Sequence, residues 1–92
     1  MSFTLVTTRH FERRARKFLR KHPDLSSVVK ETLTQLRQDP FQPSLRLHAL
    51  TGPLAGTQAV SVTHSYRLTL ILQITEREIV LLDIGAHDEV YR

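Results

Sequence analysis

The chain has no cysteine and only three glycines. No apolar stretch in it reaches the roughly 18–20 residues that a membrane-spanning helix needs. Each absence excludes something. Without cysteine there can be no disulfide and no thiolate-bound metal, so stability must come from packing alone. The N-terminus places a short apolar stretch ahead of its basic residues, the reverse of a secretory signal, and the cytoplasm is the expected compartment. Gly52 and Gly56 flank Pro53 in a loop and do not form a phosphate-cradling motif. Among the five histidines there is no His-x-x-x-His pair, so neither a metal site nor a cofactor is expected.

What is present suits one small α+β domain over residues 1–92. Ninety-two residues, 40% of them hydrophobic, suffice for a single core with little to spare. The net charge of +4 hides an asymmetry. Residues 9–21 hold Arg9, Arg13, Arg14, Arg16, Lys17, Arg20 and Lys21 against Glu12 alone, a local balance of +6 that leaves −2 for the remainder. Such a block suits an anionic partner, either a phosphate backbone or an acidic protein segment. It is also compatible with a solvated helix face.

Periodicity gives the order β-α-α-β-β-β-β. Phe3 to Thr7 reads as a first strand, and Thr8 can cap the helix that follows. Phe11, Ala15, Phe18 and Leu19 recur at helical spacing. After His22, Pro23 or Asp24 opens a second helix with Leu25, Val28, Val29, Thr32, Leu33 and Leu36 inward; Pro40 and Pro43 end it. From there the period falls to two. Strands are expected over residues 45–50, 58–63, 66–74 and 78–84, with a loop at 51–57 and a turn at 75–77. Helices followed by strands predict a helical hairpin on one face of a four-stranded, mostly antiparallel sheet. On strand 66–74, Leu68, Leu70, Leu72 and Ile74 share a face with Tyr66, while Arg67, Thr69, Ile71 and Gln73 share the other. The chain is expected to leave the core at Gly85 and then present His87 and Tyr91. A patch holding Arg67, His48, His64, His87 and Tyr91 on the face away from the helices is geometrically reasonable. His10 and His22, at helix ends, read as structural.

Three stretches carry a resemblance: Leu50-Thr51-Gly52-Pro53-Leu54-Ala55-Gly56, the strand opening Tyr66-Arg67-Leu68, and the ending Asp83-Ile84-Gly85-Ala86-His87-Asp88-Glu89-Val90-Tyr91-Arg92. With this order of elements the whole chain resembles the RelE/ParE superfamily of bacterial toxin–antitoxin modules. The ending is similar to the RelE, YoeB and YafQ toxins, which cut messenger RNA on the translating ribosome. The resemblance implies cleavage without a metal, by attack of the substrate's 2′-hydroxyl on the adjacent phosphorus. That reaction needs a base, a cation for the charge growing on the phosphate, and an acid for the leaving 5′ oxygen. By resemblance His87 is the C-terminal acid or base, Arg67 binds the phosphate, and Tyr91 stacks on a base or assists proton transfer. His48 and His64 supply the second acid/base group. Arg46, Arg13 and Lys17 are candidate contacts to RNA phosphates.

The same resemblance implies partners: a cognate antitoxin, messenger RNA on the ribosome, and operator DNA only through the antitoxin. No membrane partner is expected. Two alternatives stay open. ParE-branch members share the scaffold but inhibit DNA gyrase, and an inactive module could serve only to bind its antitoxin. Where related chains often carry Arg or Lys, this one has Ser61, which removes one phosphate contact.

Overall fold

Thr8 makes two bonds that set the entry to the fold. Its backbone is still extended, and its hydroxyl oxygen accepts from the Phe11 amide at 3.1 Å, capping the helix that follows. The same hydroxyl donates to the Leu81 carbonyl at 3.0 Å, tying that helix start to the last strand. The structure is a computed structural model that describes residues 2–87. In chain order its elements are β1 (Thr4–Val6), α1 (Arg9–Lys21), α2 (Ser26–Gln38), β2 (His48–Ala49), β3 (Gln58–Ser61), β4 (Tyr66–Gln73) and β5 (Glu78–Ala86). Among the described residues five strands form one mixed sheet in the order β1-β5-β4-β3-β2, in which the β1–β5 pairing is parallel and the others antiparallel. No helix among the described residues is long and apolar enough to cross a membrane.

The helical stripes fall where the periodicity placed them. Phe11 and Phe18 of α1 and Val29 and Leu36 of α2 are buried, joining Leu45, Val60, Leu68, Leu70, Ile79, Leu81 and Ile84 in one core. Thr32 is buried too, and its hydroxyl donates to the Val28 carbonyl at 2.9 Å, so the polar atom is satisfied. Pro23 does not open α2 directly. Pro23–Leu25 makes a single 3-10 turn, and α2 starts at Ser26 without a side-chain cap.

The strands depart from expectation at their ends. Of the predicted strand 45–50 only His48–Ala49 pairs. Leu45 is 2% exposed and closes a 3-10 turn begun at Pro43; Arg46 follows with φ 53° and ψ 46°, in the left-handed region. A chain that turns down to bury Leu45 cannot also run extended, so the alternation there reports burial rather than a strand. β3 stops at Ser61, because residues 62–65 turn back with the Val62 amide bonded to the Tyr66 carbonyl at 2.9 Å. β4 stops at Gln73, leaving Ile74 exposed in a turn that Arg77 completes at φ 55°. β5, in contrast, runs through Gly85 to Ala86, so the chain does not leave the sheet at Gly85.

β5 also contains a bulge that simple alternation hides. Thr69 pairs with Asp83 but Leu70 pairs with Leu81, so Leu82 is an extra residue on β5. The buried positions therefore step from Ile79 and Leu81 to Ile84. β1 reaches only the Val6–Val80 pair, which leaves the second half of β5 without a strand neighbour on that side. Helix α1 covers this edge. Arg14 Nε donates to Asp83 Oδ1 at 2.8 Å, its Nη2 lies 3.5 Å from the Ile84 carbonyl, and His10 Nε2 is 3.6 Å from Asp83 Oδ2. Arg14→Met keeps the aliphatic stem and strands the carboxylate, so it should lower stability by about 1–3 kcal/mol in urea unfolding. The Arg14→Met/Asp83→Leu double variant should lose less than the sum of its two single variants; strict additivity would mean that the pair contributes no coupling.

Candidate active site

Facing residues in adjacent strands share a side of the sheet, so register alone builds the face turned away from the core. One row runs His48, Ala59, Thr69, Asp83 across β2 to β5, with Ala59 and Thr69 buried, and the next runs Ser61, Arg67, Gly85 across β3 to β5. At the end of the second row, Ser44, Arg46, Ser61, Val62, Thr63, His64 and Arg67 line a cleft of about 260 Å³. Three of the sequence candidates thus meet: Arg46, His64 and Arg67. Among the described residues no Asp or Glu lines this cleft, so its two guanidiniums favour an anion.

Arg67 is held by the turn it follows. Its Nη1 donates to the carbonyls of Thr63 at 3.2 Å, His64 at 3.2 Å and Tyr66 at 3.4 Å. One corner of the guanidinium therefore brackets the residue 62–65 turn. Nε and Nη2 make no hydrogen bond with the described residues, and they form the remaining donor edge for a ligand.

His48 lies beside the cleft rather than within it, lining a depression with Leu50, Thr51, Pro53 and Leu54. Its Nδ1 is 2.9 Å from the Arg46 carbonyl. A carbonyl can only accept, so Nδ1 carries the proton, and in the neutral ring Nε2 holds the lone pair. That nitrogen has the chemistry of a general base. The left-handed turn at Arg46 thus serves both neighbours, presenting a cation to the cleft and a carbonyl to His48.

His87 is exposed and follows β5 directly. The β4–β5 register ends at the Tyr66–Ala86 pair, so His87 leaves the strand at the end of the sheet whose preceding turn carries His64. It does not line the cleft. Tyr91 lies outside the described residues. Arg13 and Lys17 do not join the cleft; they line a separate groove along α1 with Arg16, Arg20 and Lys21. Among the described residues no three His, Asp or Glu side chains converge to hold a metal ion.

Two features went unmarked in the sequence pattern. Ser44 and Thr63 enter the cleft through turns that no strand alternation could place. His22 is not an ordinary helix-end residue: its ring centroid is 4.7 Å from that of Phe18 and 4.9 Å from that of Tyr66. The four-residue spacing of Phe18 and His22 was the available signal for that contact.

The chain is similar to several solved structures of toxins. A copper-bound mutant toxin from Helicobacter pylori is 26% identical, with 96% of this chain and 98% of that chain covered at a TM-score of 0.77. YafQ from Escherichia coli strain BL21(DE3) is 15% identical, covering 98% and 99% at 0.82, and so shares the fold. The Escherichia coli DinJ–YafQ toxin–antitoxin complex matches at 15% identity and TM-score 0.79, with 100% of both chains covered. None of the curated protein sequences matches. Residues 3–92 do match the family described as "Bacterial toxin of type II toxin-antitoxin system, YafQ", and the chain belongs to that family.

Proposed function

We propose that this toxin is an endoribonuclease that cleaves messenger RNA on the ribosome through attack of the 2′-hydroxyl. The observation that carries this reading is the cleft itself: Arg67 and Arg46 beside His64, with no carboxylate lining it among the described residues. A phosphodiester entering it meets the Nε–Nη2 edge of Arg67, a planar fork suited to two phosphate oxygens. His48 Nε2 takes the proton from the 2′-hydroxyl, and the 2′ oxygen bonds to phosphorus. The bond to the 5′ oxygen breaks, and that oxygen takes a proton from His87. The products are a 2′,3′-cyclic phosphate and a 5′-hydroxyl, with one proton accepted and one donated. His64, on the turn bracketed by Arg67, supports either proton transfer, and Tyr91 stacks on a neighbouring base. Arg13 and Lys17 contact the RNA backbone away from the cut. All the proton-transfer groups in this scheme are side chains of the chain itself.

The same reading assigns a cognate antitoxin that blocks the toxin and, through its own contacts, brings it to operator DNA. Similar structures include two toxin–antitoxin complexes. The basic surface of α1 suits an acidic segment of that partner.

Three measurements test these assignments. His87→Ala should reduce cleavage of ribosome-bound message by about 10²–10⁴ with an unchanged melting curve, the usual range for a general acid or base. Parental cleavage by a normally folded His87→Ala would move the acid to His64. Arg67→Lys should rescue little of the activity lost in Arg67→Ala, since a single ammonium cannot both bracket the turn and fork the phosphate. Expression without the antitoxin should stop protein synthesis before DNA synthesis in pulse labelling; the reverse order would assign the toxin to gyrase instead.

A further inference from the structure

On the core side of the same sheet end lies a second cavity that the proposed cleavage does not use. It has a volume of about 160 Å³ and lies between α1 and the ends of β4 and β5. Phe18, His22 and Tyr66 give it an aromatic wall, in which Phe18 and Tyr66 meet edge to face with centroids 5.0 Å apart. Lys17 and Lys21, both exposed, stand at its rim, and Arg14 lines it while pairing with Asp83. A cavity of about 150 Å³ can take one benzene ring, so the space suits a single planar ring. A planar ring carrying a negative charge satisfies both the wall and the rim, and a nucleotide has that chemistry.

We infer that this cavity is a binding site for one RNA nucleotide, with the base stacked against His22 and Tyr66 and its phosphate on Lys17 and Lys21. The inference rests on the proposed reading of the protein as a ribonuclease and deepens it. Tyr66 and Arg67 are consecutive on β4 and face opposite sides of the sheet, so cavity and cleft lie back to back at one end of the strands. Gly85 lines the cavity while pairing with Arg67. An RNA cut at Arg67 can turn around the sheet end and seat a nearby base in the cavity. Beyond it, Arg13, Arg16 and Arg20 continue the basic groove along α1 for the following phosphates. Stacking against aromatic side chains beside a cationic track is how single strands are held without reading their sequence.

An acidic protein segment would meet the same lysines, but it fits less well. A docking peptide gains most from a free strand edge. Here the neighbouring edge of β5 is occupied, with the Leu81 carbonyl bonded to Thr8 and the Ile84 carbonyl facing Arg14 Nη2 at 3.5 Å.

The test uses the full chain and a 2′-O-methyl RNA hexamer, which binds but lacks the attacking hydroxyl. Titration followed by NMR should shift the ring signals of His22 and Tyr66 together with those of His64. His22→Ala should weaken hexamer binding about tenfold or more, within the range for losing one stacking partner. The Lys17→Gln/Lys21→Gln variant should flatten the dependence of log K on log salt by about 0.7 for each lysine lost. Lys30→Gln on α2 removes an equal charge elsewhere and should change binding little. Melting curves of each variant show that the fold is kept. On programmed ribosomes, photocrosslinking to the peptide containing His22 identifies the nucleotide as message or ribosomal RNA, and either result supports the site. Parental affinity in His22→Ala, with shifts confined to His64 and Arg67, would overturn the cavity assignment and leave the cleavage cleft standing. Signals that respond only to an acidic antitoxin peptide would overturn it in favour of protein docking. Absence of both hexamer binding and cleavage would instead sink the ribonuclease reading itself.

Discussion

The short first strand imposes the constraint around which the rest of this fold is arranged. β1 pairs with β5 for only three residues, so the far half of β5 has no strand on its outer side. An uncovered edge invites association with other chains. Here the helix that follows β1 lies along it, with the Thr8 hydroxyl on the Leu81 carbonyl and the Arg14 guanidinium on Asp83. The bulge at Leu82 belongs to the same solution. By inserting one residue it brings Ile84 back into the core after Leu81 while Asp83 reaches α1. The strand that delivers His87 is therefore fixed by a helix on one side and by β4 on the other.

The candidate site depends on turns at least as much as on strands. Strand pairing places Arg67 opposite Ser61 and Gly85, but the bracket to residues 63, 64 and 66 fixes its guanidinium. That bracket also binds the position of Arg67 to the conformation of the loop bearing His64. Losing the Arg67 guanidinium therefore frees the turn that bears His64, whereas replacing the His64 side chain leaves its carbonyl acceptor in place. His48 is oriented in a comparable way by the Arg46 carbonyl. These contacts are short-range in sequence and preorganise the donors before any ligand arrives.

Much of this was legible in the amino-acid sequence, for identifiable reasons. The α1 stripe and the division of β4 into an apolar and a more polar face follow directly from periods of 3.6 and 2, and both recur in the structure. Arg67 and His64 were legible because they sit where a strand begins. The segment around Leu45 misled because a buried residue in a turn mimics alternation when its neighbours are polar. The bulge at Leu82 lay hidden in an unbroken apolar run, Ile79 to Leu82, where alternation carries no signal. His22 was read as a helix-end residue because its partner Tyr66 lies more than forty positions away in the chain.

Arg46 has a conformation that glycine would adopt more readily. A side chain at φ 53° bears a steric penalty of about 1–2 kcal/mol, a substantial share of the reserve that a domain of this size can hold. A glycine there would relieve most of that strain and remove the cation from the cleft while leaving the carbonyl that orients His48. Selection for robustness alone would favour the exchange. Arginine at this corner therefore sets durability against a cation in the cleft. A glycine at residue 46 would leave a less strained turn and a cleft with one guanidinium fewer.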